Sequence, residues 1–299
     1  MIGRSLSRRP RHWHRTVHVL LLAVALVAAA IGPQASVVAA QEPAPRWMDV
    51  NGKPLPFQEK AAIADFLRSA EVVDSQKIEV GITAPRRLTL EGSGVRLNAA
   101  FRYVDETSTR VRMPDGSYFQ KLRDYCGYEV AAYQISLLLE MDNVPPAVHR
   151  KVGREDGTVQ IWVTNTMMEQ ERIDKGLRAP NGLEWGRQIQ EMLVLDELVG
   201  NIDRNSGNML IDENWKVWLI DHTRAFQQGD ELRNAGRIRM VRRAFWEALK
   251  ALDEDAVKAA VSKELNGKNI GDMFERRDLL VAHLQGLIDQ RGEGAVIWE

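Results

Sequence analysis

The chain has 299 residues, of which 44% are apolar and 27% are charged. This composition can bury a core and excludes disorder as the main state, and the length suits one large domain or a two-lobed unit. A formal net charge of −1 argues against nucleic acid as the main partner.

The first 40 residues are typical of a secretory signal peptide. They contain five arginines and no acidic residue, and the apolar stretch Val19–Ile31 precedes small residues that end at Ala40. We predict cleavage after Ala40, which leaves an exported protein, periplasmic or secreted, without a membrane span. The alternative is an uncleaved membrane anchor, although Gly32 and Pro33 interrupt the apolar run.

The chain up to residue 165 is expected to be rich in strands. Residues 41–75 form a proline-containing extension and a helix, and residues 76–165 form a β-rich N-lobe with one helix of its own. The periodicity predicts helices over 58–72 and 123–141, and strands over 77–81, 87–90, 95–104, 147–152 and 159–164. Cys126 is the only cysteine, so it cannot form an intrachain disulfide, and its predicted place in the second helix favours a buried thiol.

Residues 166–299 are expected to form a mostly helical C-lobe. The spacing of apolar residues predicts helices over 183–202, 239–252, 253–265 and 273–289, and a hairpin with strands over 209–211 and 217–220. A β-rich lobe followed by a helical lobe predicts an α+β fold with a cleft between its two lobes.

Three polar residues follow one another at informative spacings. Asp203 stands where a long helix ends, Asn208 lies five residues later at the start of the hairpin, and Asp221 ends the second strand of that hairpin. Each could be an ordinary cap or turn residue. Together they match the order in which protein kinases place a catalytic aspartate and two metal ligands.

The stretch Asp203-Arg204-Asn205-x-x-Asn208, with Ile220-Asp221-His222 after it, resembles the corresponding motif of atypical kinases. These include phosphoinositide kinases, HipA-type kinases and the secreted Golgi casein-kinase family. The resemblance implies a two-lobed protein-kinase-like fold that binds ATP with Mg²⁺ or Mn²⁺. It also implies that Asp203 accepts the proton of an attacking hydroxyl and that Asn208 and Asp221 hold the metal.

The same resemblance directs attention to a cation and a carboxylate in the N-lobe. Kinases use a strand lysine that binds phosphates and pairs with a helix glutamate. Here Ala100-Phe101-Arg102 occupies that strand, and Glu129 lies on the next helix. We expect Arg102 and Glu129 to form an ion pair, with Ala100 near the nucleotide. Arginine in place of lysine is a departure from the family, and Lys121 is the alternative cation.

Two further segments are candidates for nucleotide contacts. The stretch 81–87 carries Arg86 where a phosphate-covering loop would lie, although a plain turn explains it equally well. Met168 follows the last N-lobe strand and is a candidate lining of an adenine slot, whereas an ordinary core methionine is the alternative.

The leading hypothesis is an exported phosphotransferase that moves the γ-phosphate of ATP to a hydroxyl-bearing acceptor on protein, sugar or lipid. The first alternative is a catalytically impaired pseudokinase that acts as an envelope scaffold, which the arginine at position 102 and the scarcity of ATP outside the cytoplasm favour. The second alternative is nucleotidyl transfer to protein on the same fold. Motifs of serine hydrolases, zinc enzymes and P-loop proteins are absent from the sequence.

Overall fold

The computed structural model describes residues 45–78, 85–112, 116 and 118–299. The predicted signal peptide and residues 81–84 of the candidate phosphate loop lie outside these residues. The described helices are α1 Lys60–Ser69, α2 Gly127–Leu138, α3 Glu169–Asp174, α4 Gly182–Val199, α5 Arg243–Ala251, α6 Glu254–Val261 and α7 Gly267–Arg291. The described strands are β1 Glu71–Lys77, β2 Arg86–Gly92, β3 Val95–Arg102, β4 Asp105–Arg112, β5 Tyr118–Tyr125, β6 Ala147–Val152, β7 Glu155–Ile161, β8 Thr166–Met168, β9 Met209–Asp212, β10 Val217–Leu219, β11 Val241–Arg242 and β12 Ile297–Trp298.

The N-lobe is built on a five-stranded antiparallel sheet with strand order β1-β2-β3-β7-β6. Alternation along β3 sends Leu97, Ala99 and Phe101 into a hydrophobic core, whereas Ala100 and Arg102 lie on the opposite face. Helix α1 covers the core face, and Trp47 also packs in this core. The segment predicted as an N-terminal extension is therefore an integral layer of the N-lobe.

The predicted helix over 123–141 begins only at Gly127, because the residues before it form β5. This strand pairs with β4 from Asp105↔Tyr125 to Arg112↔Tyr118. No strand was predicted between residues 104 and 123, since β4 is exposed along nearly its whole length and shows no hydrophobic alternation. Cys126 lies just before α2 and is buried, and burial raises the pKa of its thiol to about 11.

The C-lobe is mostly helical, as predicted, and its core surrounds the second half of α4. Met192 to Val199 are all buried, and α7 packs against this helix. The apolar face of α2 joins the same core through Tyr128, Ala132 and Ile135. Helix α2 therefore lies between the two lobes, with its apolar side chains on the C-lobe.

Helix α4 has sharply defined ends that fix where the next loop starts. The Asn181 side chain accepts hydrogen bonds from the backbone N–H groups of Leu183 and Glu184 at the N-terminus. Gly200 ends the helix in the left-handed conformation at φ 60°, which glycine adopts without steric cost. The chain thus leaves α4 at Asn201 and enters the loop that carries Asp203. In the described part of the chain, no helix has the length and apolarity to cross a bilayer.

Candidate active site

The loop between α4 and β9 is held by one buried ion pair. Arg204 donates from Nε and Nη2 to the two carboxylate oxygens of Asp196, each at 2.9 Å. Its Nη1 donates to the carbonyl oxygens of Asn208 at 2.7 Å and Ile220 at 2.8 Å. Asp196 also accepts from Asn201 Nδ2 at 2.9 Å. Asp196 therefore has a structural role, and Arg204 joins the loop to the residues directly before and after the following hairpin.

Asp203 and Asn208 meet within this loop. Asn208 Nδ2 donates to the backbone carbonyl of Asp203 at 2.9 Å, which leaves Asn208 Oδ1 as the amide atom available to a cation. The Asp203 carboxylate is partly exposed to the cleft and accepts from Arg224 Nη1 at 3.2 Å. Burial raises the pKa of Asp203, the nearby charge of Asp221 acts in the same direction, and Arg224 opposes both.

Asp221 has an unusual backbone conformation for a residue with a side chain. Its φ is 57°, in the left-handed region. Neighbouring hydrogen bonds fix this turn: Ile220 N–H donates to Asn208 O at 3.2 Å, and His222 N–H donates to Glu129 Oε2 at 2.8 Å. Non-glycine residues that surrounding contacts hold in this conformation are often found at functional sites. Asp221 lines the same cleft as Asp203.

Arg102 does not pair directly with Glu129, contrary to the sequence prediction. Gln160 of β7 lies between them: it accepts from Arg102 Nη1 at 3.5 Å and donates to Glu129 Oε1 at 2.8 Å. The registers Ala100↔Gln160 and Arg102↔Thr158 place Gln160 and Arg102 on one face of the sheet. The ion partner of Arg102 is Asp221, with 3.9 Å between Nε and Oδ1. Burial opposes the charge of Arg102, but Asp221 and Glu129 outweigh it and raise the pKa of this guanidinium.

Glu129 is fully buried and its principal partner is His222. Glu129 Oε1 lies 3.0 Å from His222 Nδ1, and Glu129 Oε2 accepts the His222 backbone N–H. His222 Nε2 lies 2.9 Å from Arg204 Nη2, and a guanidinium can only donate. These partners assign the proton of the imidazole to Nδ1. Burial alone would raise the pKa of Glu129, but its contacts with His222 and the charge of Arg102 lower it to about 2.

Besides Gln160, two charged residues of the site were not predicted from the sequence. Arg224 bridges Asp203 and Asp124, donating from Nε to Asp124 Oδ2 at 2.9 Å. Asp124 is buried, and its other oxygen, Oδ1, has no hydrogen-bond partner among the described residues. Asp124 was not considered because it was assigned to the predicted helix over 123–141, whereas it lies in β5. Arg224 could have been found from the sequence, because it follows the predicted metal ligand Asp221 by only three residues.

The site lies in one cleft of about 590 Å³ between the lobes. This volume is within the size range of small-molecule sites. Its polar and charged lining includes Arg102, Asp124, Asp203, Asn208, Asp221 and Arg224, together with Gln160, Asn165, Thr166, Glu171, Asn205 and Thr223. Ala100 and Met168 lie among its apolar lining residues, and Met168 is 39% exposed, so it is not a core methionine.

Arg86 does not line this cleft, which corrects the sequence prediction. It is paired in register with Phe101, so its side chain lies on the face of the sheet opposite to Arg102. There it forms an ion pair with Glu155 at 2.9 Å and lies over the ring of Tyr103. Lys121, the alternative cation, is an exposed residue of β5 and is not among the lining residues either.

The donor set of the cleft suits a divalent cation bound together with phosphate oxygens. Among the described residues no three His, Cys, Asp or Glu side chains converge as an all-protein metal cage would require. Mg²⁺ is usually bound by one or two carboxylates plus substrate phosphates and water. Asp221 and Asn208 Oδ1 match that pattern, and the unpartnered oxygen of buried Asp124 is a further atom that a cation would satisfy.

Comparison with known proteins identifies the fold. No family model matches the sequence, and no curated protein matches it. The structure of hydra Fam20 with sugar matches with a TM-score of 0.59 and 14% identity, over 79% of this chain and 91% of that chain. The Golgi casein kinase, also solved with Mn and ADP bound, matches with a TM-score of 0.56 and 14% identity, over 80% of this chain and 78% of that chain. The predicted two-lobed, kinase-like α+β fold is thereby confirmed.

Proposed function

We propose that this chain is a kinase-like phosphotransferase that moves the γ-phosphate of ATP to a hydroxyl group of an acceptor. The observation that carries the proposal is the meeting of Asp203, Asn208 and Asp221 in one cleft between the lobes. Phosphoryl transfer needs little covalent chemistry from a protein, but it needs a fixed carboxylate at the nucleophile, metal-ligand oxygens and a cation facing the phosphates. Asp203, the pair Asn208 and Asp221, and Arg102 are the candidates for these three roles.

Different cleft residues would bind different parts of the nucleotide. Ala100, Met168 and their apolar neighbours would contact the base, and Arg102 would grip phosphate oxygens with its fork of N–H groups. Asn208 Oδ1 and Asp221 would hold Mg²⁺ or Mn²⁺, with Asp124 as a further ligand. When bound, the cation would neutralise charge on the transferring phosphoryl group.

Asp203 would act on the acceptor. Its carboxylate takes the proton of the acceptor hydroxyl as that oxygen bonds to the γ-phosphorus, while the bond from the γ-phosphorus to the β–γ bridging oxygen breaks and ADP leaves. A raised pKa makes Asp203 a better proton acceptor than a solvated aspartate. The bond from Arg224 orients the carboxylate before the acceptor arrives.

Glu129 would support the site without touching the nucleotide. It holds His222, the residue after Asp221, by two hydrogen bonds. His222 in turn meets Arg204, which fixes the loop carrying Asp203 and Asn208. These buried hydrogen bonds connect α2 to Asp221 and to the loop that carries Asn208, the two proposed metal ligands.

A pseudokinase scaffold is the second candidate, and one contact favours it. The Arg102 guanidinium lies 3.9 Å from Asp221 Oδ1, so a cation already faces the carboxylate that a divalent metal would use. If Arg102 keeps this contact when nucleotide is present, metal binding and transfer would both be impaired. The signal peptide predicted in residues 1–40 would place either activity outside the cytoplasm, and the acceptor would then be found there.

Labelled ATP separates the candidates. The protein beginning at Gln41 is incubated with Mn²⁺ and a mixture of exported proteins, with label in the γ- or the α-phosphate. We expect transfer of γ-label that Asp203→Asn and Asp221→Asn abolish and that Asp65→Asn, an exposed control on α1, leaves intact. Transfer of α-label would instead indicate nucleotidyl transfer. Absence of label together with absence of an ATP-induced shift in Tm would favour the scaffold.

A further inference from the structure

A cluster of three cations lies outside the cleft, where the N-terminal segment, α1 and the β9–β10 turn meet the connection between α2 and β6. Arg46 Nη2 lies 3.1 Å and Lys216 Nζ 2.5 Å from the same oxygen, Oδ2 of Asp142. Lys60 Nζ donates to the backbone carbonyl of Met141 at 2.9 Å. We call Arg46, Lys60 and Lys216 the cation cluster. None of its members lines the cleft of the proposed active site.

The cation cluster has more positive than negative charge. Asp142 forms ion pairs with two members of the cluster, Arg46 and Lys216. Among the described residues, Lys60 forms no ion pair with a carboxylate and bonds to a backbone carbonyl instead. Asp212 is the next carboxylate near Lys216 and adds one negative charge; its oxygens accept from Trp218 Nε1 and from the backbone N–H groups of Asn214 and Lys216. Burial, together with the charges of Lys216 and Arg46, lowers the pKa of Lys60 to about 8 against the pull of Asp142.

Packing holds the cluster in place. The buried ring of Trp218 has Arg46 at 5.1 Å and Lys216 at 4.7 Å from its centroid, and Trp47 packs against it at 5.2 Å. Lys60 lies 5.9 Å from the ring centroid of Tyr133. Arginine and lysine side chains fixed on aromatic rings lose less conformational freedom on binding a ligand than free ones do. Arg46 and Asp142 remain open to solvent, with side chains 36% and 63% exposed.

We propose that the cation cluster binds a phosphate dianion, either inorganic phosphate or a phosphate monoester, at a site separate from the cleft. The guanidinium of Arg46 offers paired N–H donors that match two phosphate oxygens, and Lys60 and Lys216 supply point charges. Asp142 and Asp212 together leave one of the three positive charges unbalanced, and the dianion would bind to it. Its binding would fasten the N-terminal segment and α1 to the connection that follows α2.

Isothermal titration at constant ionic strength tests the proposal, with chloride as the balancing anion. The probes are inorganic phosphate, glycerol 3-phosphate and O-phosphoserine, which distinguish the free ion from the monoesters. We expect saturable binding that Lys60→Gln/Lys216→Gln weakens at least about tenfold, a loss of about 1.4 kcal/mol. The control Lys175→Gln/Lys258→Gln removes two exposed helix lysines that are paired with glutamates, and should bind phosphate as the unmodified chain does.

A gain-of-binding variant guards against misfolding as an explanation. Asp142→Asn removes the carboxylate that competes with the ligand for Arg46 and Lys216, so phosphate should bind more tightly than to the unmodified chain. Unchanged affinity in the double lysine variant would overturn the proposal. So would weaker binding in Asp142→Asn, or loss of phosphate binding in Arg102→Gln with retention in the double lysine variant, because the ion would then occupy the cleft.

Discussion

Glu129 and His222 share two hydrogen bonds across the boundary between the lobes. The backbone N–H and the ring Nδ1 of His222 both meet the Glu129 carboxylate, at 2.8 and 3.0 Å, and both residues are fully buried. Since His222 follows Asp221 directly, the position of α2 and the position of the proposed metal ligand are coupled through these two bonds.

Glu129→Gln is expected to weaken this coupling. The amide keeps the shape of the side chain but presents an NH₂ group to one of the two His222 donors, which leaves a buried donor without an acceptor. We expect a loss of about 2 to 3 kcal/mol in the free energy of unfolding and weaker ATP binding. Urea unfolding and nucleotide titration measure the two effects. Glu106→Gln on exposed β4 is the matched control, and equal ATP affinity in both variants would contradict the prediction.

Arg224→Gln should change the pH dependence of transfer. The charge of Arg224 lowers the pKa of Asp203, against burial and Asp221, which raise it. Without that charge the pKa of Asp203 rises further, so a smaller fraction of the carboxylate is ionised at low pH. The acid limb of kcat/KM should therefore move to higher pH, and activity should fall more at pH 6 than at pH 9. Arg178→Gln, an exposed control, should leave the profile unchanged.

Asp124→Asn tests the donor set of the cation. An asparagine can still accept from Arg224 Nε through its oxygen, but it places an NH₂ group where Asp124 Oδ1 now lacks a partner. We expect about tenfold more Mn²⁺ to be needed for half-maximal nucleotide binding, because one anionic ligand is lost. Asp105→Asn on β4 removes a nearby carboxylate that pairs with Arg123 outside the cleft lining, and should leave the Mn²⁺ requirement unchanged.

The sequence predicted the two lobes and the meeting of Asp203, Asn208 and Asp221, because these depend on hydrophobic periodicity and on fixed spacings along one short segment. The pairing of Arg102 with Glu129 was predicted wrongly. That contact depends on which β7 side chain lies between β3 and α2, and the register that puts Gln160 there is a tertiary property.

The hairpin of β4 and β5 was missed for a different reason. A strand with one buried face alternates apolar and polar residues, but β4 has no buried face and reads as a loop. That error carried Asp124 into a predicted helix. The end of β5 is instead fixed by long-range bonds, such as Tyr125 N–H to Thr223 O at 2.8 Å, which local sequence does not encode.

Lys60 should make stability rise with alkaline pH. Its pKa is about 8 in the folded chain and near its ordinary value of 10.5 when unfolded. Between these values the unfolded chain binds a proton that the folded chain does not, so the unfolding free energy increases with pH. Relative to Lys60→Met, the unmodified chain should gain stability between pH 8 and 10.5 in urea unfolding. Lys53→Met, at an exposed residue, supplies the control. Parallel curves for the unmodified chain and Lys60→Met would contradict the assignment.

Gly157→Ala should displace the strand that carries Arg102. A Cβ atom at Gly157 would lie 2.3 Å from the backbone oxygen of Arg102 and 2.6 Å from the Phe101 ring, so β3 and β7 would have to separate. We expect a loss of about 2 to 3 kcal/mol in the free energy of unfolding and weaker ATP binding. Gly186→Ala is the matched control, because a Cβ there meets no atom within 4 Å and α4 gains a better helix former, which should stabilise the chain by up to about 1 kcal/mol. Equal unfolding midpoints for the two variants in urea would show that β3 tolerates the added methyl group and that the position of Arg102 does not depend on this close approach.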